Sequence, residues 1–168
     1  MKKMLLFVLL FCSKITFAQY KKGDFLLNVG LGTSSYSGQA IPGASFEYGF
    51  GKFISAGVQS DLYTYRYGPE RAVYTSLPTA LRASYHFGKH FLKIKTLDLY
   101  GGASVGVWSP RHYDYRPGKP KVYVGDNDGL YLGLYAGARY YFQPKFAVFS
   151  EIGHKISWLK AGVTFRFF

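Results

Sequence analysis

The stretch WLKAGVTFRFF, residues 158–168, decides how the rest of the chain is read. Leu159, Ala161, Val163, Phe165 and Phe167 share one parity, and Lys160, Gly162, Thr164 and Arg166 share the other. That is the period-two pattern of a strand with an apolar and a polar face. An aromatic strand at a free sheet edge is a pairing hazard in water. It is stable where it pairs with the first strand of its own sheet, because closure abolishes the edge and satisfies every backbone hydrogen bond even inside a bilayer.

Seven earlier segments repeat the alternation, at 24–34, 43–50, 53–65, 77–87, 97–108, 129–142 and 146–153, so the sequence predicts eight strands. The 53–65 strand sets Ile54, Ala56, Val58 and Leu62 against Ser55, Gly57, Gln59 and Asp61. Pro78 falls near the start of its strand, where a missing donor is tolerated. Between them, residues 66–76 read as a polar stretch, 88–96 as a basic connection, and 109–128, with Pro110, Pro117 and Pro120, as the longest irregular segment. Connections at 51–52, 88–96 and 143–145 fall at one end, and those at 35–42, 66–76, 109–128 and 154–157 at the other. The first set is expected inside and the second outside, the long 88–96 and the short 154–157 breaking an otherwise regular contrast of length.

The first eighteen residues form a separate unit. Lys2 and Lys3 precede an apolar run too short to span a bilayer, and Thr16-Phe17-Ala18 places small residues where a signal peptidase reads, so cleavage is expected between Ala18 and Gln19. The bulky Phe11 argues against a lipid anchor on Cys12. The only cysteine therefore leaves with the signal, and neither disulfides nor a cysteine metal site are expected in residues 19–168. That remainder is one domain, with no segment apolar enough for a membrane helix. The chain carries +12; removing Lys2, Lys3 and Lys14 leaves 18 basic against 9 acidic residues, or +9. An exported basic protein meets anionic surfaces rather than nucleic acid.

Alternation leaves open which face is inside, and a soluble lipocalin-like barrel would have its apolar face inward. Three features point the other way. The polar face is rich in glycine, including Gly30, Gly57, Gly102, Gly133, Gly137 and Gly162, which a narrow lumen holding Tyr131, Tyr135 and Tyr141 requires. Aromatics gather at strand ends: Phe25, Phe50, Phe53, Phe87, Tyr140, Phe142, Phe146 and Phe167 at one, Tyr36, Tyr63, Tyr65, Tyr74, Trp108 and Trp158 at the other, as two interfacial girdles. Finally, the polar face carries Glu47, Asp61, Asp98 and Glu151 with Arg82, Arg139, Lys160 and Arg166. Four acids and four bases are expected to pair in a lumen filled by side chains, with His86 joining them. The excess charge then lies on the rims, +6 inside and +3 outside, facing phospholipid headgroups and lipopolysaccharide phosphates respectively.

The signal, the strand count and the terminal GVTFRFF resemble the small eight-stranded outer-membrane barrels of the OmpA-transmembrane-domain and OmpX type, in the version common among Bacteroidetes-like bacteria. The resemblance covers 24–168. It implies an all-β, antiparallel, up-and-down transmembrane β-barrel in the outer membrane of a Gram-negative bacterium, with outer-membrane lipids including lipopolysaccharide around it. It also implies that Phe165, Phe167 and Phe168 form the signal read by the outer-membrane assembly machinery. No catalytic residues or cofactors follow from it, and the peptidoglycan-binding domain of longer relatives is not expected.

Two candidate sites remain. Glu151, His154 and Ser157 contain the residue types of an acyl-transfer triad. Lipid A deacylases space His and Ser two apart on one strand face, whereas here they are three apart across a turn, so a hydrogen-bonded turn is the expectation and a lipid-modifying enzyme the alternative. The 109–128 segment carries Arg111, His112, Tyr113, Tyr115, Arg116, Lys119, Lys121 and Tyr123, a basic and aromatic set suited to an extracellular glycan or an anionic protein ligand, a solvated loop without a ligand being the alternative. Asp126-Asn127-Asp128-Gly129 resembles half a calcium loop but lacks the closing Glu, so no metal is expected.

Overall fold

The computed structural model describes residues 20–33, 39–67, 72–92, 94–108, 110–114, 122–126, 129–153 and 157–167. The expected signal, His154 and Phe168 lie outside them. In chain order the described elements are β1 (Phe25–Thr33), β2 (Ala40–Gly49), β3 (Ile54–Asp61), β4 (Tyr63–Tyr67), β5 (Ala72–Ser76), β6 (Thr79–His86), a helical turn α1 (Gly88–Phe91), β7 (Leu97–Trp108), β8 (Pro110–Asp114), β9 (Val122–Asp126), β10 (Gly129–Gln143), β11 (Phe146–Gly153) and β12 (Leu159–Phe167).

Eight of these strands close into an antiparallel barrel in the order β1-β12-β11-β10-β7-β6-β3-β2, returning to β1. The seam is the pairing of β1 with β12, in unbroken register from Phe25 opposite Phe167 to Thr33 opposite Leu159. The terminal stretch thus finds the partner that its pattern calls for, and the barrel has no free edge.

Burial is inverted relative to a soluble protein. Leu130 on β10 is 78% exposed and Leu81 on β6 is 63% exposed, while Arg139 and Glu47 are 0% exposed inside. An apolar outer wall around a charged interior is stable in lipid and not in water. Aromatics run around the inner end, with Phe25 4.7 Å from Tyr48, Tyr48 4.8 Å from Phe50, and Phe142 5.1 Å from Phe146, ring centroid to centroid. At the outer end Tyr63 lies 5.5 Å from Trp108.

Glycine makes room for the interior rings. A Cβ on Gly137 would stand 2.6 Å from Cζ of Tyr100, closer than any real contact, so the ring needs a strand without a side chain facing it.

The structure corrects the sequence reading at the outer end. The segment expected as one strand over 53–65 breaks at Leu62, whose N–H donates to Pro42 O at 2.8 Å. The chain then leaves the barrel as β4. The polar 66–76 and irregular 109–128 segments contain strands, and these build a second, four-stranded sheet ordered β4-β5-β8-β9. Alternating Tyr63, Tyr65 and Tyr67, and the β-branched Val73 and Thr75, are strand formers whose pattern is short enough to be missed. Pro110 takes the first position of β8, where a proline costs least. β2 also begins at Ala40 rather than 43. At the inner end the basic connection carries the turn α1.

Candidate functional site

The interior is organised on Glu47, fully buried on β2. Its carboxylate accepts hydrogen bonds from Asn28 Nδ2 at 2.9 Å, Ser55 Oγ at 2.8 Å, Ser84 Oγ at 2.9 Å and Arg139 Nη2 at 3.1 Å. Donors therefore arrive from β1, β3, β6 and β10. Four charge-directed bonds on one carboxylate are what a buried anion needs.

From this centre the ion pairs run in two directions. Arg82 Nη2 lies 3.7 Å from Glu47 and 2.7 Å from Glu151 Oε1, and Glu151 Oε1 also accepts from the Tyr100 hydroxyl at 2.9 Å. Arg139 Nη1 reaches Asp98 Oδ2 at 3.2 Å, its register partner across the β7–β10 pair. Asp98 lies 3.0 Å from His86 Nδ1, and His86 Nε2 lies 2.9 Å from Ser55 Oγ, which returns to Glu47. The interior charges thus form a closed circuit through five strands. Tyrosines flank it: the guanidinium of Arg82 sits 4.2 Å from the Tyr135 ring centroid and that of Arg139 4.3 Å from that of Tyr100.

Two pairs bracket the circuit. Toward the outer end Lys160 pairs with Asp61 across the lumen, although its register neighbour is Glu151. At the inner end Arg166 Nη1 lies 3.5 Å from Asp24 Oδ2. The expected ledger of four acids and four bases therefore needs a correction. Asp24, left out of that ledger, is buried and belongs to the interior. Its parity matches Leu26 and Asn28, so the signal was present, one position before the strand.

Tyr20 carried no such signal. Gly23, at φ +90°, turns the chain so that Tyr20 folds back under the inner mouth. Its ring stacks on His86 at 3.7 Å and 1°, and its hydroxyl donates to Gly51 O at 3.0 Å and to Ile54 O. Only Gly or an Asn-like residue adopts that backbone readily.

Toward the outer end a cavity of about 40 Å³ is lined by residues including Gln59, Asp61, Tyr131, Glu151, Ser157 and Lys160. That volume suits water. Ser157 Oγ donates to Leu159 O at 2.8 Å, and Glu151 is committed to Arg82 and Tyr100. The two candidate triad members described thus have other partners, and His154 is outside the described residues.

In the outer sheet, Arg66 pairs with Val73, Val73 with Tyr113 and Tyr113 with Tyr123, while Thr75 pairs with Arg111. These register positions place Arg66, Arg111, Tyr113 and Tyr123 on one face. Tyr115, Arg116, Lys119 and Lys121 lie outside the described residues. Arg66 was not among the expected recognition residues, because its loop was read as a separate polar stretch.

Fold and interior together define a small eight-stranded barrel of the outer-membrane type, closed by its own side chains. Solved structures agree. The outer membrane protein OprG of Pseudomonas aeruginosa matches with a TM-score of 0.61 at 13% identity, over 90% of this chain and 99% of that one. The N-terminal β-barrel domain of Pseudomonas aeruginosa OprF matches at 0.56 and 16% identity, over 88% and 100%. Ail, the attachment invasion locus protein of Yersinia pestis, solved in complex with the heparin analogue sucrose octasulfate, matches at 0.51 and 13% identity, over 87% and 99%. No family model and no curated protein sequence matches the chain.

Proposed function

We propose that this protein is a non-enzymatic barrel of the outer membrane that displays its outer sheet for recognition. The observation that carries the membrane assignment is the inverted burial, with Leu130, Leu132 and Leu134 on the outer wall and the Glu47–Arg139 pair inside. In this reading the signal at 1–18 exports the chain, the assembly machinery reads Phe165, Phe167 and Phe168, and outer-membrane lipids including lipopolysaccharide surround the wall. Heat-dependent gel mobility of protein from outer-membrane fractions tests it: a shift between unboiled and boiled samples is expected, and a soluble protein without a shift refutes it.

The recognition role is supported by Arg66, Arg111, Tyr113 and Tyr123 sharing one face of the outer sheet. Arginines offer bidentate bonds to sulfate or phosphate, and tyrosines offer flat faces to sugar rings. An anionic glycan is the ligand class such a set favours, and Ail, of like fold, was solved with a sulfated sugar. Binding of cells to immobilised heparin is expected to fall severalfold in an Arg66→Ala/Arg111→Ala variant that still shows the mobility shift. The alternative, an acyl hydrolase using His154 and Ser157, predicts an altered lipid A mass profile in Ser157→Ala; an unchanged profile is expected.

A further inference from the structure

The inner connection between β6 and β7 is longer than antiparallel neighbours require. The β2–β3 and β10–β11 connections are tight turns, yet here the chain spends residues 87–96 and builds α1. Its position explains the length. His90 lies 4.4 Å from the Phe53 ring and runs parallel to Tyr85 at 6.0 Å and 10°, with Nε2 3.0 Å from the Tyr85 hydroxyl. Tyr85 is on the lipid-facing side of β6, 46% exposed, so α1 folds against the outer wall instead of beneath the lumen. There it leaves Phe91 79% exposed and Ile94 51% exposed.

Two large apolar side chains bare to water on a turn would be unfavourable, and a plain two-residue turn would avoid them. The same side chains are favourable at the boundary between headgroups and acyl chains. The charge around them matches: the sequence interleaves Lys89, Lys93 and Lys95 with Phe91 and Ile94, and Lys52 Nζ stands 5.3 Å from the centroid of the Phe53 ring in the adjacent turn. A cation beside an interfacial aromatic is the arrangement that grips a phosphate-bearing surface.

We propose that the 87–96 connection is an interfacial anchor, with Phe91 and Ile94 seated in the inner leaflet and Lys52 and Lys95 facing anionic phospholipid headgroups. The anchor fixes the depth and rotation of the barrel from one side, next to β6 and β7. It rests on the reading of the barrel as membrane-spanning, and the test separates the two.

The sole cysteine of the sequence, Cys12, falls in the expected signal, so single cysteines can be placed in the mature chain. Nitroxide labels on Phe91→Cys, Leu132→Cys and Lys22→Cys report oxygen against nickel-chelate collisions in vesicles of phosphatidylethanolamine and phosphatidylglycerol. The Phe91 label is expected to show an oxygen preference severalfold above that of the Lys22 label and near that of the Leu132 label. That preference should fall in vesicles of phosphatidylcholine alone, and in Lys52→Gln/Lys95→Gln; an unchanged value overturns the role of anionic headgroups. A water-like Phe91 label beside a lipid-like Leu132 label, whether from solvent or a protein partner, overturns the anchor alone. Water-like values at both positions overturn the membrane reading itself.

Discussion

At the scale of single residues, Glu47 holds the interior together, because among the described residues it is the carboxylate that pairs with both Arg82 and Arg139. Removing it leaves two buried cations short of a counter-charge. Glu47→Ala is expected to cost about 3–5 kcal/mol in urea unfolding from vesicles. Lys160→Met, beside the outer cavity where water can compensate Asp61, should cost well under half of that. Equal losses would mean that the circuit has no centre. Gly137 gives a steric counterpart. Gly137→Val drives a methyl into the Tyr100 ring and should cost about 1–3 kcal/mol, whereas Gly129→Val, with nothing within 4 Å of a Cβ, should be near neutral in the same assay. The interior charges on the eight strands were legible in the sequence because parity alone assigns them. The same parity reached Asp24, which was nevertheless left out of the ledger; Tyr20 was not legible, since it arrives by a turn at Gly23, where no periodicity reaches.

At the scale of elements, the barrel strands and the outer sheet differ in how they announce themselves. Each barrel strand alternates over eight residues or more, long enough for the period to stand out. The outer strands have five residues each, and Pro110 with the nearby Pro117 and Pro120 masked β8 and β9 as irregular chain. What the sequence lacked was any local mark that two loops distant in sequence share one sheet; only the β5–β8 pairing brings Arg66 onto the face of Arg111. For β12 the pattern sufficed. Phe167 stands opposite Phe25 and is 49% exposed on the lipid side, as parity requires. Replacing Phe167 by Ala removes an aromatic from the closing seam and its girdle, while Phe168 breaks the parity that puts Phe165 and Phe167 on the apolar face of the sequence pattern. The folded fraction in outer-membrane extracts, read by gel mobility, should therefore fall further for Phe167→Ala than for deletion of Phe168.

At the scale of the molecule, the interior is closed in successive levels rather than by one plug. Tyr20 stacks on His86 at the inner mouth, the Glu47–Arg139–Asp98 pairs lie above it, and Arg82 bridges to Glu151 before the lumen reaches the Lys160–Asp61 pair. An eight-stranded barrel has an interior just wide enough for side chains, so every level must be trimmed before a solute passes. Monosaccharide entry into vesicles carrying the protein should stay at the background of empty vesicles. Tyr20→Ala should leave it there, because the guanidinium levels remain. Flux should rise only when Tyr20, Arg82, Tyr100, Arg139 and Lys160 are together replaced by Ala, so that every level is trimmed, provided that the gel-mobility shift shows the barrel still folded. A leak from Tyr20→Ala alone would place the barrier at the inner mouth and make the ionic circuit a matter of stability only. Under the proposed function, a closed lumen leaves the outer wall and the sheet above it as the surfaces through which such a barrel would act, the wall toward lipid and the sheet toward a ligand.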